Sequence, residues 1–332
     1  MITRTLVHNL VFLLALKLPI TCQAFSVPRP FPTVTSLQEA VESTPSESSL
    51  NPEENPHFDY SATSLEGISY AAVLNRLLKP IFPPSELEKR NALSRTDGYW
   101  PFIQTGDDPP QQFTYGEFDF YFFATLLDKA REYYIPMSNS NNHIVGKGWE
   151  EKVFCDIGSG TGRLVLAAAA LHSWRSCLGI EILPTIHQAA LDNYQSYQVI
   201  LQREQQEKRS NEKEKISSSM ISSAAPCEFV CGSFDDPYVY FGDADCIFVF
   251  SSCMSRDLLT KLAASIGRQC KPGTVVMTTE FMLPLEGVCE PVENDDRVTS
   301  GPYRLELVEK MEGFSWLMGG QSTAYIHRVL AS

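Results

Sequence analysis

From Val153 onward the chain alternates short apolar runs with helix-forming stretches: VFCDI, RLVLAAAALH, SCLGIE, a helix opened by Pro184, then CEFVC, DCIFVF and TVVMTTEF. Strands this short and this apolar need cover on both faces, and βαβ repetition supplies it. The pattern therefore predicts a mostly parallel sheet flanked by helices. A chain of 332 residues, 43% of them hydrophobic, is long enough to bury one full core of that kind. Residues 153–166, VFCDIGSGTGRLVL, put a glycine-rich turn between the first strand and the first helix, where such sheets hold nucleotide-like ligands.

The turn reads Gly158-Ser159-Gly160-Thr161-Gly162, and Arg163 stands where a dinucleotide fingerprint has its last glycine. A helix N-terminus attracts pyrophosphate, whereas Asp156, two residues before the first glycine, repels it. A carboxylate there suits a cationic ligand. S-adenosylmethionine carries an ammonium and a sulfonium and no phosphate, and its carboxylate can use the N–H groups of the turn. Glu181 ends the second strand, where an acid can take both ribose hydroxyls. After the third strand, CGSFDDPY offers Phe234 to an adenine face, with Ser233 or Asp235 at its edge.

Upstream, residues 1–24 have the basic start, apolar centre and small-residue end of a cleavable secretory signal. The apolar centre is shorter than the ~20 residues that span a bilayer, so no stable membrane anchor is expected. Phe25 and the residues after it are similar to the bipartite plastid presequences of algae, which suggests a plastid or secretory route. Residues 25–64 read as a disordered presequence and linker, residues 65–135 as a helical annex, and residues 136–332 as the main domain, with a flexible insertion at 202–225. Loss of the signal removes Arg4 and Lys17 and no acid, leaving 27 less two basic residues against 40 acidic, a net charge of about −15. That sign disfavours direct nucleic-acid binding. Most of the nine cysteines fall in or beside the apolar strands, and no Cys/His spacing matches a zinc site.

In the annex, Tyr70 to Phe82 has apolar residues at helical spacing, and Ser85 with Glu88 fits a capping box. In DFYFFATLLDKAREYY, the residues Phe120, Phe123, Leu127, Ala130 and Tyr134 form one apolar stripe, read as core packing. Asp108-Pro109-Pro110 and Asp236-Pro237-Tyr238 stand at the wrong places for the acceptor motif of amino-methyltransferases and read as loops.

YGEFDFYFFATLLDKA, GSGTGRLVLAAAA, SCLGIE, GSF, IFVF, FMLPL and FSWLMGGQSTAYIHRVL occur in an order that resembles the disruptor-of-telomeric-silencing family of non-SET histone-lysine methyltransferases, over about residues 113–329. The resemblance implies a Rossmann-like class I fold: a mostly parallel seven-stranded sheet with an antiparallel C-terminal strand. It also implies that Tyr115, Gly116 and Glu117 close over the cofactor and that Tyr325 helps line a lysine channel. Where the family carries an Asn pair after the fourth strand, this chain has Ser251 and Ser252, and Ser233 stands where the family has Asp. Tyr325, with Phe281 or Trp316, is the expected channel wall, Ser251 the expected contact to amine or cofactor, and Tyr115 a catalytic-site residue. The expected partner is a protein, including a histone in the nucleus, or a small methyl acceptor. The alternatives are a metabolite methyltransferase of the plastid or secretory route, a non-catalytic cofactor-binding relative and, more distantly, a dehydrogenase.

Overall fold

The computed structural model describes residues 59–135, 148–211, 224–289, 300–315 and 320–331. The expected signal, most of the expected linker, Trp316 and the middle of the expected 202–225 insertion lie outside them. The strands are β1 (Val153–Ile157), β2 (Ser176–Glu181), β3 (Cys227–Cys231), β4 (Cys246–Val249), β5 (Val275–Thr279), β6 (Glu286–Cys289), β7 (Gly301–Ser315) and β8 (Gly320–Val329). They form one sheet in the order β3-β2-β1-β4-β5-β8-β7-β6. β1 to β5 are parallel, and β8 runs antiparallel to β5. The order reverses beside β1, so the first turn opens at a topological switch point.

The sheet has eight strands where seven were expected. The extra strand, β6, pairs antiparallel with the start of β7, Glu286 opposite Arg304 and Cys289 opposite Gly301. The long β7–β8 hairpin projects far enough to give this short edge strand a partner. β6 therefore runs against the parallel set as β8 does. β1, β4 and β5 are buried along their whole length, which explains their unbroken apolar sequence. Phe154, Phe248 and Met277 point into a core shared with Phe123 and Leu166, while Ile157, Ile247 and Val276 pack with Leu262 and Ile266 on the other face.

The annex begins with α1 (Tyr70–Val73), a π-helical turn over Leu74–Leu78, and α2 (Lys79–Ile81). Pro80 has no N–H to give the preceding turn, and the Lys79 amide reaches back to Leu74 O, five residues earlier. The expected capping box fails. Pro83-Pro84 forces a 3₁₀ turn over Pro84–Glu86 that contains Ser85, and α3 (Leu87–Gly98) starts after it without a side-chain cap. On α3, Arg90, Ser94 and Gly98 recur every four residues and are buried. α4 (Trp100–Thr105) leads to α5 (Phe120–Arg131), which is capped by the Asp119 carboxylate accepting from Phe122 N–H at 2.9 Å. Every residue of the predicted aromatic stripe on and just after α5 is buried. α6 (Arg163–Leu171) and α7 (Pro184–Asn211) follow β1 and β2, and α8 (Arg256–Gln269) precedes β5. α7 carries the first ten residues of the expected insertion, 202–211, as helix. Among the described residues no helix is long and apolar enough to cross a membrane.

His172, fully buried at the end of α6, fastens the annex to the sheet. Its Nδ1 lies 3.4 Å from Glu66 and its Nε2 3.3 Å from Asp128, which also accepts from Tyr70 OH. Burial alone would hold the imidazole pKa down, but Asp128 and Glu66 outweigh it and raise it above the ordinary 6.5. A group raised in this way contributes its full stability below its unfolded pKa and loses it as pH rises through the folded value. The thermal midpoint is therefore expected to drop above about pH 6.5. His172→Gln, followed by calorimetry across pH 5–9, should flatten that part of the profile.

Candidate functional site

A cavity of about 630 Å³ opens at the C-terminal ends of β1, β2, β3 and β4. Asp156, Gly158, Ser159, Gly160 and Glu181 line its floor, Ser233 and Phe234 one end, and Tyr115, Gly116 and Glu117 a strap across it. These residues come from four separate stretches of sequence, and the strand order alone brings them together.

Burial, with Glu181 as a like-charged neighbour, pushes the Asp156 carboxyl up to about 8. Burial also raises Glu181, whose two oxygens accept from the amides of Gly160 and Leu183, each at 2.9 Å. Two acids held in a buried wall favour a cationic guest. The turn amides are used differently from the sequence expectation. Gly158 and Ser159 donate to Ile180 O, Gly162 to Ser159 O and Gly160 to Glu181, so these four are spent inside the protein. β2 lies close enough to draw those of Gly158, Ser159 and Gly160, and an anionic part of a ligand must find its donors elsewhere. Gly158, Gly160 and Gly162 all have positive φ.

The strap is a hydrogen-bonded relay. The Thr161 hydroxyl donates to the Tyr115 hydroxyl oxygen at 2.8 Å, and the Tyr115 hydroxyl donates to Glu117 at 3.0 Å. Glu117 also binds Arg90 of α3 and lies 3.7 Å from Arg163. Thr161 is 1% exposed and, like Gly162, which packs on Phe229, does not border the cavity. Both shape the site from behind. Ser233 donates to Asp235 at the cavity end, and both border it.

Two expected acceptor-side residues are placed differently. Ser251 is fully buried, its hydroxyl donating to Thr279 O at 2.5 Å and accepting from Thr279 N–H at 3.2 Å, so it ties β4 to β5 and does not face the cavity. Its neighbours Phe250 and Ser252 do. Tyr325 sits half-buried on β8 opposite Thr278 and does not border the cavity, and neither does the exposed Phe281. The His of Tyr-x-His holds a loop in place, since His327 Nε2 accepts from Leu283 N–H at 3.3 Å and so pins the FMLPL segment to β8. Burial lowers its pKa to about 4, so it is neutral when it accepts. Ser251→Ala is expected to cost about 1–3 kcal/mol of stability, because it leaves Thr279 groups unpaired, with no change in ligand affinity. Denaturant titration and calorimetric binding check the two halves.

Sequence reading also missed Arg90, Gln112, Thr114, Phe118, Phe250 and Lys261. Arg163 was legible as the residue that breaks the dinucleotide fingerprint, and the rest had no local signal. Among the described residues no group of three or more His, Cys, Asp or Glu is placed to hold a metal ion.

Residues 147–328 match the family described as histone methylation protein DOT1, more than half of the chain. The chain belongs to that family. It is an S-adenosylmethionine-dependent methyltransferase with a class I fold. No curated protein matches this DOT1-family chain in sequence. Solved structures similar to it include an RNA methyltransferase from Salinibacter ruber in complex with S-adenosyl-L-homocysteine, at 20% identity over 55% of this chain and 82% of that one, TM-score 0.35. The rRNA methyltransferase aviRa from Streptomyces viridochromogenes is 15% identical over 64% and 86%, TM-score 0.39. A SAM-dependent methyltransferase from Methanosarcina mazei is 13% identical over 55% and 94%, TM-score 0.34.

The cavity residues of this DOT1-family methyltransferase fit the cofactor. Asp156 and Glu181 suit a ligand with an ammonium and ribose hydroxyls, Phe234 suits a planar base, and Arg163 suits a carboxylate. Ser159 Oγ is buried with no partner among the described residues, an unsatisfied polar atom at the edge of the cavity.

Proposed function

We propose that the chain methylates a lysine amine of a protein, a histone being the substrate its family favours. The observation that carries this reading is the match to the histone methylation family over residues 147–328. A histone substrate would place the protein in the nucleus.

The bound cofactor would supply an electrophilic methyl group on a sulfonium. The chain's own residues would align the acceptor and keep it dry. Phe118, Phe248 and Phe250 make an apolar wall, with Phe118 ring centroids 5.5 and 5.4 Å from those of Phe248 and Phe250. A lysine amine entering beside such a wall loses solvation as a cation, and its pKa falls from about 10.4 toward the neutral, nucleophilic form. Ser252, which borders the cavity, is the hydroxyl available there to accept a hydrogen bond from the amine. Phe250 and Ser252 thus take the roles first expected of Tyr325 and Ser251. Glu117 and Tyr115 hold the strap closed, and Asp156 and Glu181 orient the cofactor.

The test is to incubate the purified protein with methyl-labelled S-adenosylmethionine and to offer nucleosomes, total cell protein and a small-molecule extract in parallel. Label in acid-stable lysine derivatives of protein, lost on Phe250→Ala, is the expected result. Label confined to the small-molecule fraction would move the reading to a metabolite methyltransferase. No label in any fraction despite cofactor binding would mark a non-catalytic relative.

A further inference from the structure

Two arginines share one carboxylate beside the cavity. Glu117 is 6% exposed at its side chain; Arg90 Nε lies 2.5 Å from its Oε1, and the Tyr115 hydroxyl donates to the same oxygen at 3.0 Å. Arg163 Nε stands 3.7 Å from Oε2, beyond hydrogen-bond reach. Arg163 Nη1 donates to Phe118 O at 2.7 Å, and among the described residues its Nη2 has no partner. Asp119 feels the same guanidinium but is tied to the Phe122 amide as the cap of α5. Arg90 is anchored from behind by donating to Pro83 O at 3.0 Å. Arg163 borders the cavity and Arg90 does not. The amides of Gly158, Ser159, Gly160 and Gly162 are spent within the protein, and the acids Asp156 and Glu181 on the floor give a carboxylate no cation to pair with. Arg163 is the fork-shaped cation that meets it.

We propose that Arg163 receives the carboxylate of the cofactor's methionine half, and that Arg90 is a positioning residue that makes it available. By engaging Glu117, Arg90 keeps that carboxylate from drawing Arg163 into a closed pair. Helix α3 of the annex, outside the segment matched to the family, thereby tunes affinity for the amino-acid half of the ligand and leaves the nucleoside half alone. This rests on the cavity being the S-adenosylmethionine site.

The test uses calorimetry on the whole chain with two ligands. S-adenosylhomocysteine carries the carboxylate, whereas 5′-methylthioadenosine has the same adenosine and thioether and no amino-acid part. Arg163→Met is expected to weaken S-adenosylhomocysteine roughly tenfold to a hundredfold and methylthioadenosine less than about twofold. Should that variant not fold, Arg163→Gln tests the same direction. Arg90→Met should weaken only S-adenosylhomocysteine, by a smaller factor. Arg90→Met combined with Glu117→Gln should recover much of the loss, since no carboxylate then competes for Arg163. A merely structural Arg90 would show no such rescue. Equal loss of both ligands in the Arg163 variants, or no loss of either, overturns the role of Arg163. Absence of the rescue overturns the role of Arg90. A wild-type chain that binds neither ligand overturns the cofactor site itself, and this inference with it.

Discussion

S-adenosylhomocysteine is expected to bind about tenfold more tightly for each pH unit between about pH 6 and pH 8, with a plateau above. The reason is Asp156. Burial and the neighbouring Glu181 raise its pKa to about 8, so the ligand-free protein carries a proton there at neutral pH. A ligand ammonium beside it favours the carboxylate, and binding expels the proton, so less acid in solution means tighter binding. The same group works in the opposite sense on the ligand-free fold. The unfolded chain binds fewer protons than the folded one between about pH 4 and pH 8, so this contribution to stability falls as pH rises through that window. Calorimetry in buffers of different ionisation enthalpy measures the released proton directly. Asp156→Asn should abolish the release, flatten the pH profile and weaken binding at pH 8. Binding that is independent of pH in the wild type would separate Asp156 from the ligand's cation.

Gly160→Ala should remove most ligand affinity, by roughly a hundredfold, and cost about 1–3 kcal/mol of stability. Gly160 has φ +55, and a Cβ added there would lie 2.8 Å from the Tyr115 ring, closer than real Cβ contacts allow. The ring must move, and with it goes the relay from Thr161 through Tyr115 to Glu117 that closes the strap. The backbone strain and the collision can be separated. In the background of Tyr115→Ala the collision is gone, so Gly160→Ala should then cost only the strain, and the two substitutions should be strongly non-additive in binding. Additive losses would show that the strap is not held by this contact.

What could be read from the sequence here was whatever rests on local patterns. The five parallel strands fall where the apolar runs stand, because unbroken Val, Ile, Phe and Cys runs are stable only in a sheet covered on both faces. α5 starts just after Asp119 and α7 at Pro184, because a capping carboxylate and a proline in the first turn are local devices. Asp156, Glu181 and Phe234 line the cavity because strand ends meet at the switch point of such a sheet. The Ser251-Ser252 pair could not be resolved from sequence, since two adjacent serines leave a strand end in opposite directions. Only the packing of the chain after β4 against the end of β5 ties the first to Thr279 and leaves the second bordering the cavity.

The sequence by itself determined the doubly wound core, the glycine turn and the identity of the acids at the strand ends. Periodicity, backbone freedom and charge act within a few residues and leave their mark there. Tertiary structure alone decided that three of the turn amides are spent on β2, that Tyr325 stands away from the cavity, that a short edge strand joins the sheet, and that Glu117 comes to lie between Arg90 and Arg163. These depend on which distant segments pack together, and a buried ion pair between residues far apart in the chain has no local pattern that could announce it.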